Sequence, residues 1–241
     1  MDARDHLIAD YRLEFAGPVH CGTGLRAGLV DHTVTRGPDK AIRIPGSTVK
    51  GMARWQCEWL CRLALPPEER EVSFDALIED IFGSKAREST LFWDDALPED
   101  LLSGDALPED APPKDVPSEE PLKWYPGPSR TRVALSRLTR TAEPGRLFTR
   151  EQAPEGMTFL GRVFGWLGGP PLPKAAYTYG LPLLVAGLVL VDQIGAARST
   201  GLGRCRTTLT CLQVNGQPVE PADIVGHIDD LEYYNIARQE G

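Results

Sequence analysis

The spacing of apolar residues along the chain predicts alternating strands and helices. Apolar and polar side chains alternate between Ile8 and Phe15, which is typical of a strand with one buried face. A second strand is expected from Val30 to Arg36, after a glycine-rich loop. A helix follows, with Ser47 as its N-cap. One face of this helix carries residues at helical spacing, namely Val49, Met52, Ala53, Gln56, Leu60 and Leu63.

The rest of the chain continues the same alternation. We expect helices at Phe74–Phe82 and Leu181–Ile194, and strands at Thr90–Trp93, Met157–Leu167 and Gly203–Val214. Elements in this order predict a mixed α+β domain with a modified ferredoxin-like (RRM-like) fold. A length of 241 residues suits one such domain with an insertion, so we expect a single domain over residues 1–241.

An acidic, proline-rich segment interrupts this pattern between residues 94 and 126. It contains seven prolines and two copies of the pentapeptide Ala-Leu-Pro-Glu-Asp. Such a composition buries too little apolar surface to offset the entropy of ordering, which predicts a flexible insertion. Residues 94–121 contain ten acidic residues, whereas the rest of the chain has 24 acidic and 25 basic residues. The net charge of −8 therefore does not exclude a local basic surface for nucleic acid.

A basic segment follows the insertion. Six arginines between residues 125 and 150 are opposed only by Glu143, and Pro144-Gly145 is typical of a turn. We therefore expect a protruding basic hairpin over residues 127–160. Four apolar residues lie among the arginines, namely Leu135, Leu138, Leu147 and Phe148.

Two features of the composition limit the other classes of function. No window approaches the ~18 uninterrupted apolar residues of a membrane helix, and the N-terminus has no signal-like core, which predicts a soluble, cytoplasmic protein. Five cysteines lack the spacing of zinc ligands. Cys57 and Cys61, one helical turn apart, are therefore expected to pack rather than to bind metal.

Two segments carry candidate phosphate-binding chemistry. Lys50 and Arg54 lie in the first two turns of the predicted helix, where the helix dipole disfavours cations unless an anion binds beside them. A bound phosphate would remove this conflict, although solvated surface charges would give the same pattern. The glycine-rich loop Gly195–Arg204 precedes the last strand, and its glycines allow close approach to another chain.

Three motifs, taken in order, resemble the RAMP superfamily of CRISPR-associated proteins. Residues 44–54, Ile-Pro-Gly-Ser-Thr-Val-Lys-Gly-Met-Ala-Arg, are similar to the helix start of that family. Ile81–Gly83 with Leu91–Ala96 resembles its Phe-Gly turn and the strand that follows, and Gly195–Arg204 resembles its C-terminal glycine-rich loop. The resemblance runs from about Tyr11 to Val214, apart from the acidic segment.

Within that superfamily the chain is most similar to the repeated backbone subunit of Csm-type, type III effector complexes. That resemblance implies antiviral defence, binding of guide RNA, and cleavage of complementary target RNA at regular intervals. It places Asp31 on an aspartate required for metal-dependent cleavage and implies a divalent cation, Mg²⁺ or Mn²⁺, with Asp31 either as a ligand of this cation or as the base. It also implies that the hairpin is a thumb that distorts the guide–target duplex.

The implied partners are guide RNA, target RNA, other effector subunits, and adjacent copies or paralogues, with no membrane. Sequence would be read by base pairing while protein contacts hold the backbone. The residues expected to contact RNA are Arg26, Ser47, Lys50, Arg54, Arg137, Arg140, Arg198, Ser199, Gly201 and Arg204.

Three alternatives remain open at this point. A scaffold or capping subunit of the same complex would bind guide RNA without cutting. A precursor-processing endoribonuclease of the superfamily would cut a single RNA without metal, using His20 or His32 for proton transfer. A ferredoxin-like regulatory domain unrelated to RNA would make the three motifs coincidental.

Overall fold

The computed structural model of the chain describes residues 3–64, 74–102, 128–173 and 175–234. Its helices are α1 (Gly46–Ala64), α2 (Asp75–Phe82), α3 (Glu99–Leu102), α4 (Gly180–Val189) and α5 (Pro221–Val225). Its strands are β1 (Ala3–Phe15), β2 (Leu91–Trp93), β3 (Leu97–Pro98), β4 (Ser129–Leu135), β5 (Ala142–Glu151), β6 (Thr158–Gly169), β7 (Cys205–Val214) and β8 (Gln217–Pro218).

The main sheet is antiparallel, with the strand order β2-β6-β1-β7-β8, and β3 also pairs with β6. Strands β1, β2, β6 and β7 with α1 and α4 follow the order strand–helix–strand–strand–helix–strand, and β1 lies between β6 and β7. This is the ferredoxin-like topology, so the predicted fold class is confirmed. Strands β4 and β5 form a separate two-stranded sheet, the basic hairpin.

The core lies between one face of the main sheet and the helices. In β1 every second side chain from Asp5 to Phe15 is buried, and these residues share a face with Phe159 and Val163 of β6. Helices α2 and α4 pack on the sheet, and α1 packs on α4 through the buried Cys57, whose thiol donates to the Leu183 carbonyl at 3.3 Å. On the opposite face of the sheet, the short helix α3 lies beside β3 and β6, and its Glu99 pairs with Arg12 of β1 at 2.9 Å.

The prediction of a strand over Val30–Arg36 was wrong. These residues make isolated bridges with three different segments: Ala27 and Gly22 within their own loop, Arg150 of β5, and Ile42. A continuous ladder needs one partner strand in constant register, and this segment has none. The loop instead joins β1 to the base of the hairpin.

Two predicted boundaries also changed. Helix α4 ends at Val189 rather than Ile194. The backbone after Val189 pairs with the last strand instead, because the Ile194 amide donates to the Gly203 carbonyl and the Asp192 carbonyl accepts a hydrogen bond from the Cys205 amide. The turn of the hairpin lies at residues 136–141, where the Arg140 amide donates to the Ser136 carbonyl. Pro144 and Gly145 lie within β5, in a bulge where the register shifts between Val133 and Leu135.

The start of the predicted acidic insertion belongs to the fold. The Ala96 amide and carbonyl both pair with Ile44, and Leu97 and Pro98 form the short strand β3 against β6. Residues 94–102, including the short helix α3, were therefore wrongly included in the flexible segment. The remainder, 103–126, lies outside the described residues. Within the described part of the chain, no helix is long and apolar enough to cross a membrane.

Candidate nucleic-acid interface

The start of α1 and the end of β2 form one structural unit. A side chain at Gly46 would collide with the carbonyl oxygen of Trp93, so only glycine permits this approach. The Gly46 amide donates to a carboxylate oxygen of Asp95 at 3.0 Å. The motifs at residues 44–54 and 91–96 are therefore neighbours in space. Trp93 and Asp95 of the second motif contact Gly46, where the helix of the first motif begins.

The Asp95 contact corrects the predicted N-cap of α1. The helix begins at Gly46, so Ser47 lies exposed in its first turn and is not the N-cap. Asp95 also places a carboxylate at the positive end of the helix dipole, which partly compensates the cations at Lys50 and Arg54 without a phosphate. Lys50 is half-buried, and its burial and the neighbouring Arg54 lower its pKa.

Arg54 is held by its own neighbours. Its guanidinium donates to Glu58 at 2.8 Å and to the Gly83 carbonyl at 3.2 Å. Gly83 ends α2 with φ 78°, and a side chain there would lie 2.7 Å from the Ser89 amide nitrogen. Arg54 thus fastens the Phe-Gly turn to α1, which is a structural role, while its side chain stays 41% exposed.

The glycine-rich loop has closely packed glycines at its ends and an open one near its middle. Gly195 packs against the His20 carbonyl and Gly203 against the Ile194 carbonyl, both with positive φ, so neither accommodates a side chain. Gly201 also has positive φ (88°), but no atom lies within 4 Å of the position of a Cβ. Its backbone is therefore open to another molecule.

Side chains of this loop connect it to α1 and to the hairpin. The guanidinium of Arg198 lies 2.9 Å from the sulfur of Met52 in α1. The hydroxyl of Thr200 accepts from Arg132 of β4 at 3.1 Å. The first turns of α1, the glycine-rich loop and the hairpin therefore meet, and we call the basic residues of this junction, Lys50, Arg132, Arg150 and Arg198, the cationic surface.

Like charges are close together on the hairpin. Arg130 and Arg150 are directly opposite in the β4–β5 register, an arrangement that is unfavourable unless an anion binds between them. Burial and the neighbouring Arg132 lower the pKa of Arg150, whose guanidinium lies 5.5 Å from the Phe148 ring centroid. Arg137 and Arg140 are exposed in the turn beside Leu138, which is 93% exposed.

Asp31 lies at the base of the hairpin. Its Oδ2 accepts from the Thr149 amide at 2.9 Å, and its own amide donates to the Thr149 carbonyl at 2.9 Å. Its Oδ1 is 3.5 Å from the exposed guanidinium of Arg26. Thr149 pairs with Thr131, the neighbour of Arg132, so Asp31 is close in the sheet to the cationic surface.

The two candidate histidines are in different environments. His20 is 4% exposed, and its Nδ1 donates to the Glu151 carbonyl at 2.6 Å, while burial lowers its pKa. His32 is more exposed and packs edge-on against Phe148, with ring centroids 6.0 Å apart. Buried Glu151 holds the same loop by accepting from the Val34 amide and from Arg36.

The structure thus brings together only part of the predicted set. Arg198, Ser199, Gly201 and Lys50 lie at the junction, Arg26 pairs with Asp31, and Arg204 is exposed opposite Gln193 where β7 begins. Sequence reasoning missed three residues that organise the junction, namely Asp95, Arg132 and Glu151. Arg132 was visible as one of six hairpin arginines, but no sequence pattern separates it from the others.

The fit of a divalent cation rests on Asp31 alone. Among the described residues, no group of three or more His, Cys, Asp and Glu side chains is arranged to hold a metal ion. Protein-bound Mg²⁺ commonly uses one or two carboxylates and completes its shell with water and phosphates. The residues around Asp31 therefore fit a cation shared with bound RNA, and not a site formed by the protein alone.

Comparisons with known proteins agree with the fold. A chain in a cryo-EM structure of the Type III-B Cmr-beta bound to cognate target RNA aligns with a TM-score of 0.54 and 16% identity, over 88% of this chain and 61% of that one. This chain thus spans about three fifths of that relative. A chain in the apo Type III-B Cmr-beta structure aligns with a TM-score of 0.55 and 12% identity, over 84% and 97%. The search of curated proteins found no match.

The family is established by a separate comparison. The family model described as "RAMPs: RAMP superfamily" matches residues 12–206, which is most of the chain. That range includes the helix start at residues 44–54, the Asp31 loop and the glycine-rich loop. The chain therefore belongs to the RAMP superfamily.

Proposed function

We propose that this protein is a subunit of a type III CRISPR effector complex that binds guide RNA and cleaves the target RNA paired to it. The observation that carries the proposal is the junction of α1, the glycine-rich loop and the hairpin through Arg198–Met52 and Arg132–Thr200. Guide RNA, target RNA and other effector subunits are the proposed partners. The two similar structures described above are of the Cmr type, so the Csm-type assignment stays a prediction.

The electrostatics of the junction support phosphate binding. Arg130 faces Arg150 across the hairpin, so these two guanidinium groups repel each other unless an anion lies between them. Lys50 lies beside Arg54, which lowers the pKa of Lys50 even though Arg54 is paired with Glu58. An RNA backbone that crosses these pairs would remove the repulsion and release counterions. Backbone contacts of this kind carry no base preference, and pairing with the guide would supply the sequence specificity.

Cleavage is assigned to the Asp31 loop. The Thr149 amide orients the Asp31 carboxylate through Oδ2, which leaves Oδ1 directed at Arg26 and the open side of the loop. Asp31 would help to hold a divalent cation, which would supply Lewis-acid stabilisation of the scissile phosphate. The hairpin beside it would splay the target nucleotide, so that its 2′-hydroxyl aligns with that phosphate. Burial of His20 disfavours it as the proton acceptor in a metal-independent reaction.

A direct test uses effector complexes assembled with native subunit, Asp31→Ala, or the matched exposed-acid control Asp229→Ala. Each is given guide, labelled complementary RNA and Mg²⁺ or Mn²⁺. We expect regularly spaced cuts from the native and control complexes, and a loss of cutting of about 100-fold or more in Asp31→Ala with target binding unchanged. Equal cutting by Asp31→Ala would contradict the assignment of this residue.

A scaffold subunit that does not cut is the second candidate. The observation that favours it is the ion pair of Asp31 with Arg26, since a guanidinium 3.5 Å away competes with a cation for the same oxygen. This alternative predicts guide and target binding with no cuts from the native complex. Chelation of the metal by EDTA would then change nothing, whereas it should abolish cutting under the first proposal.

A further inference from the structure

The edge of the main sheet has a gap beside β6. Strand β2 pairs with residues 163–165 of β6, and β3 pairs with residues 159–160. Between β2 and β3 the chain leaves β6, because the Ala96 amide and carbonyl pair with Ile44 instead. A cleft of about 610 Å³ opens at this gap, beside Gly161 of β6. The detour of the chain between the two short strands therefore creates the cleft.

Tyr11 of β1 reaches the wall of this cleft across Gly161. The two residues are paired in the β1–β6 register, and a Cβ at Gly161 would lie 2.4 Å from the Tyr11 hydroxyl oxygen, so only glycine leaves room for the ring. Tyr11 is 0% exposed, and its hydroxyl has no hydrogen-bond partner among the described residues. Burial of an unpaired hydroxyl is unfavourable, so a ligand that forms a hydrogen bond with it would remove that cost.

Two ion pairs compensate four of the charges in and beside the cleft. Asp10 accepts two hydrogen bonds from the guanidinium of Arg162. Arg43 pairs with Asp39 at 3.1 Å. Both arginines that line the cleft are therefore already bound to a carboxylate of the protein.

The two other carboxylates of the cleft, those of Asp94 and Asp95, have no cationic partner in the described part of the chain. Asp94 is exposed, and Asp95 uses one oxygen to accept from the Gly46 amide at 3.0 Å, which leaves its second oxygen available. Burial raises the pKa of Tyr11, and the charges of Asp94 and Asp95 raise it further, so both carboxylates lie near the hydroxyl. The cleft therefore offers three neighbouring acceptor groups to a cationic donor.

The lining indicates the class of ligand. Carboxylates attract ammonium groups and repel phosphates, so the cleft disfavours the RNA backbone. Three leucines, Leu97, Leu102 and Leu160, line the same cleft and would pack against an aliphatic chain. No group of three or more described His, Cys, Asp and Glu side chains is arranged to hold a metal ion, which disfavours a divalent cation here. The volume of the cleft is in the range of small-molecule sites.

We propose that this cleft binds a linear aliphatic polyamine. An ammonium group has three N–H donors, which match Asp94, Asp95 and the Tyr11 hydroxyl, and the methylene groups would lie along the leucines. Because two carboxylates lack a cationic partner, a ligand with more than one positive charge is favoured over a monoamine. The proposal does not rest on RNA binding, since none of these residues belongs to the cationic surface.

The test is isothermal titration of the full chain with spermidine, without RNA, for native protein and three variants. Tyr11→Phe removes only the hydroxyl, and Asp94→Asn removes one charge and keeps the shape of the side chain. Asp229→Asn, at an exposed acid outside the cleft, is the matched control. Thermal denaturation with and without spermidine shows whether each variant is folded and whether the ligand stabilises it.

We expect native protein and Asp229→Asn to bind spermidine with saturation at one molecule per chain. The affinity should fall by about tenfold in Tyr11→Phe and in Asp94→Asn, since each loses one charge-assisted hydrogen bond. Without ligand, Tyr11→Phe should unfold at the same temperature as native protein, because the hydroxyl that it removes has no partner in the described structure. The uncharged analogue hexane-1,6-diol should not bind.

Four results would overturn the proposal. The first is the absence of saturable binding by native protein, and the second is equal affinity in all four proteins, because spermidine would then be a diffuse counterion of an acidic surface. The third is displacement of spermidine by an equal concentration of Mg²⁺, which would identify a divalent-cation site. The fourth is equally tight binding of Nα-acetyl-lysine amide, which would identify a lysine side chain of a protein partner as the ligand.

Discussion

Strand β1 and the strands of the basic hairpin differ in what surrounds them. Along β1, Leu7, Leu13 and the other residues of the inner face are essentially inaccessible to solvent. Along the hairpin, Leu135 and Leu147 are more than half exposed. The sheet is therefore stabilised by burial, whereas the hairpin depends on contacts at its base.

Those base contacts are mostly polar. Glu151 accepts from the Val34 amide and Arg36, Asp31 pairs with Thr149 through side chain and backbone, and the Glu151 carbonyl accepts from His20. Apolar residues at the hairpin tip therefore contribute little to folding. Their exposure is explained if they act on bound RNA, as the proposed function requires.

The largest difference in the free energy of unfolding is expected between leucine-to-alanine substitutions in the two regions. Leu13→Ala should lower the free energy of unfolding by about 2–5 kcal/mol, because it leaves a cavity in the core. Leu138→Ala, at the exposed tip, should change it by less than about 0.5 kcal/mol. Urea denaturation of both variants checks this. Equal losses would show that the tip is packed against the protein in solution.

A smaller effect is expected at the base of the hairpin. Glu151→Gln removes the buried charge that faces Arg36 and should lower the free energy of unfolding by about 2 kcal/mol. The matched variant Glu58→Gln breaks the partly exposed pair with Arg54 and should cost no more than about 0.5 kcal/mol. Thermal denaturation and amide exchange at Val34 report on both. An unaffected Val34 amide in Glu151→Gln would contradict the role of Glu151 in holding the Asp31 loop.

The secondary structure could be predicted best from the sequence in the elements whose side chains are buried in the core. Alternation in β1 indicates a strand directly, because its buried face repeats every second residue. Helix α4 is indicated instead by an uninterrupted apolar run, which is buried on all sides from Gly180 to Leu188. Prediction from the sequence failed where contacts between polar groups far apart in the chain determine the local structure. Asp95 rather than Ser47 closes the start of α1, and residues 30–36 are held by three separate partners instead of one strand. Such contacts depend on the fold and leave no local periodicity.

The central claim is that α1, the glycine-rich loop and the hairpin form one surface for the RNA backbone. Its most direct test is the salt dependence of guide-length RNA binding by the full chain, for native protein, Arg132→Gln, Arg198→Gln and the exposed control Arg206→Gln. We expect a steep native slope of log affinity against log salt, reduced by about one in Arg132→Gln and Arg198→Gln and unchanged in the control. A slope that is the same in all four proteins would contradict the account.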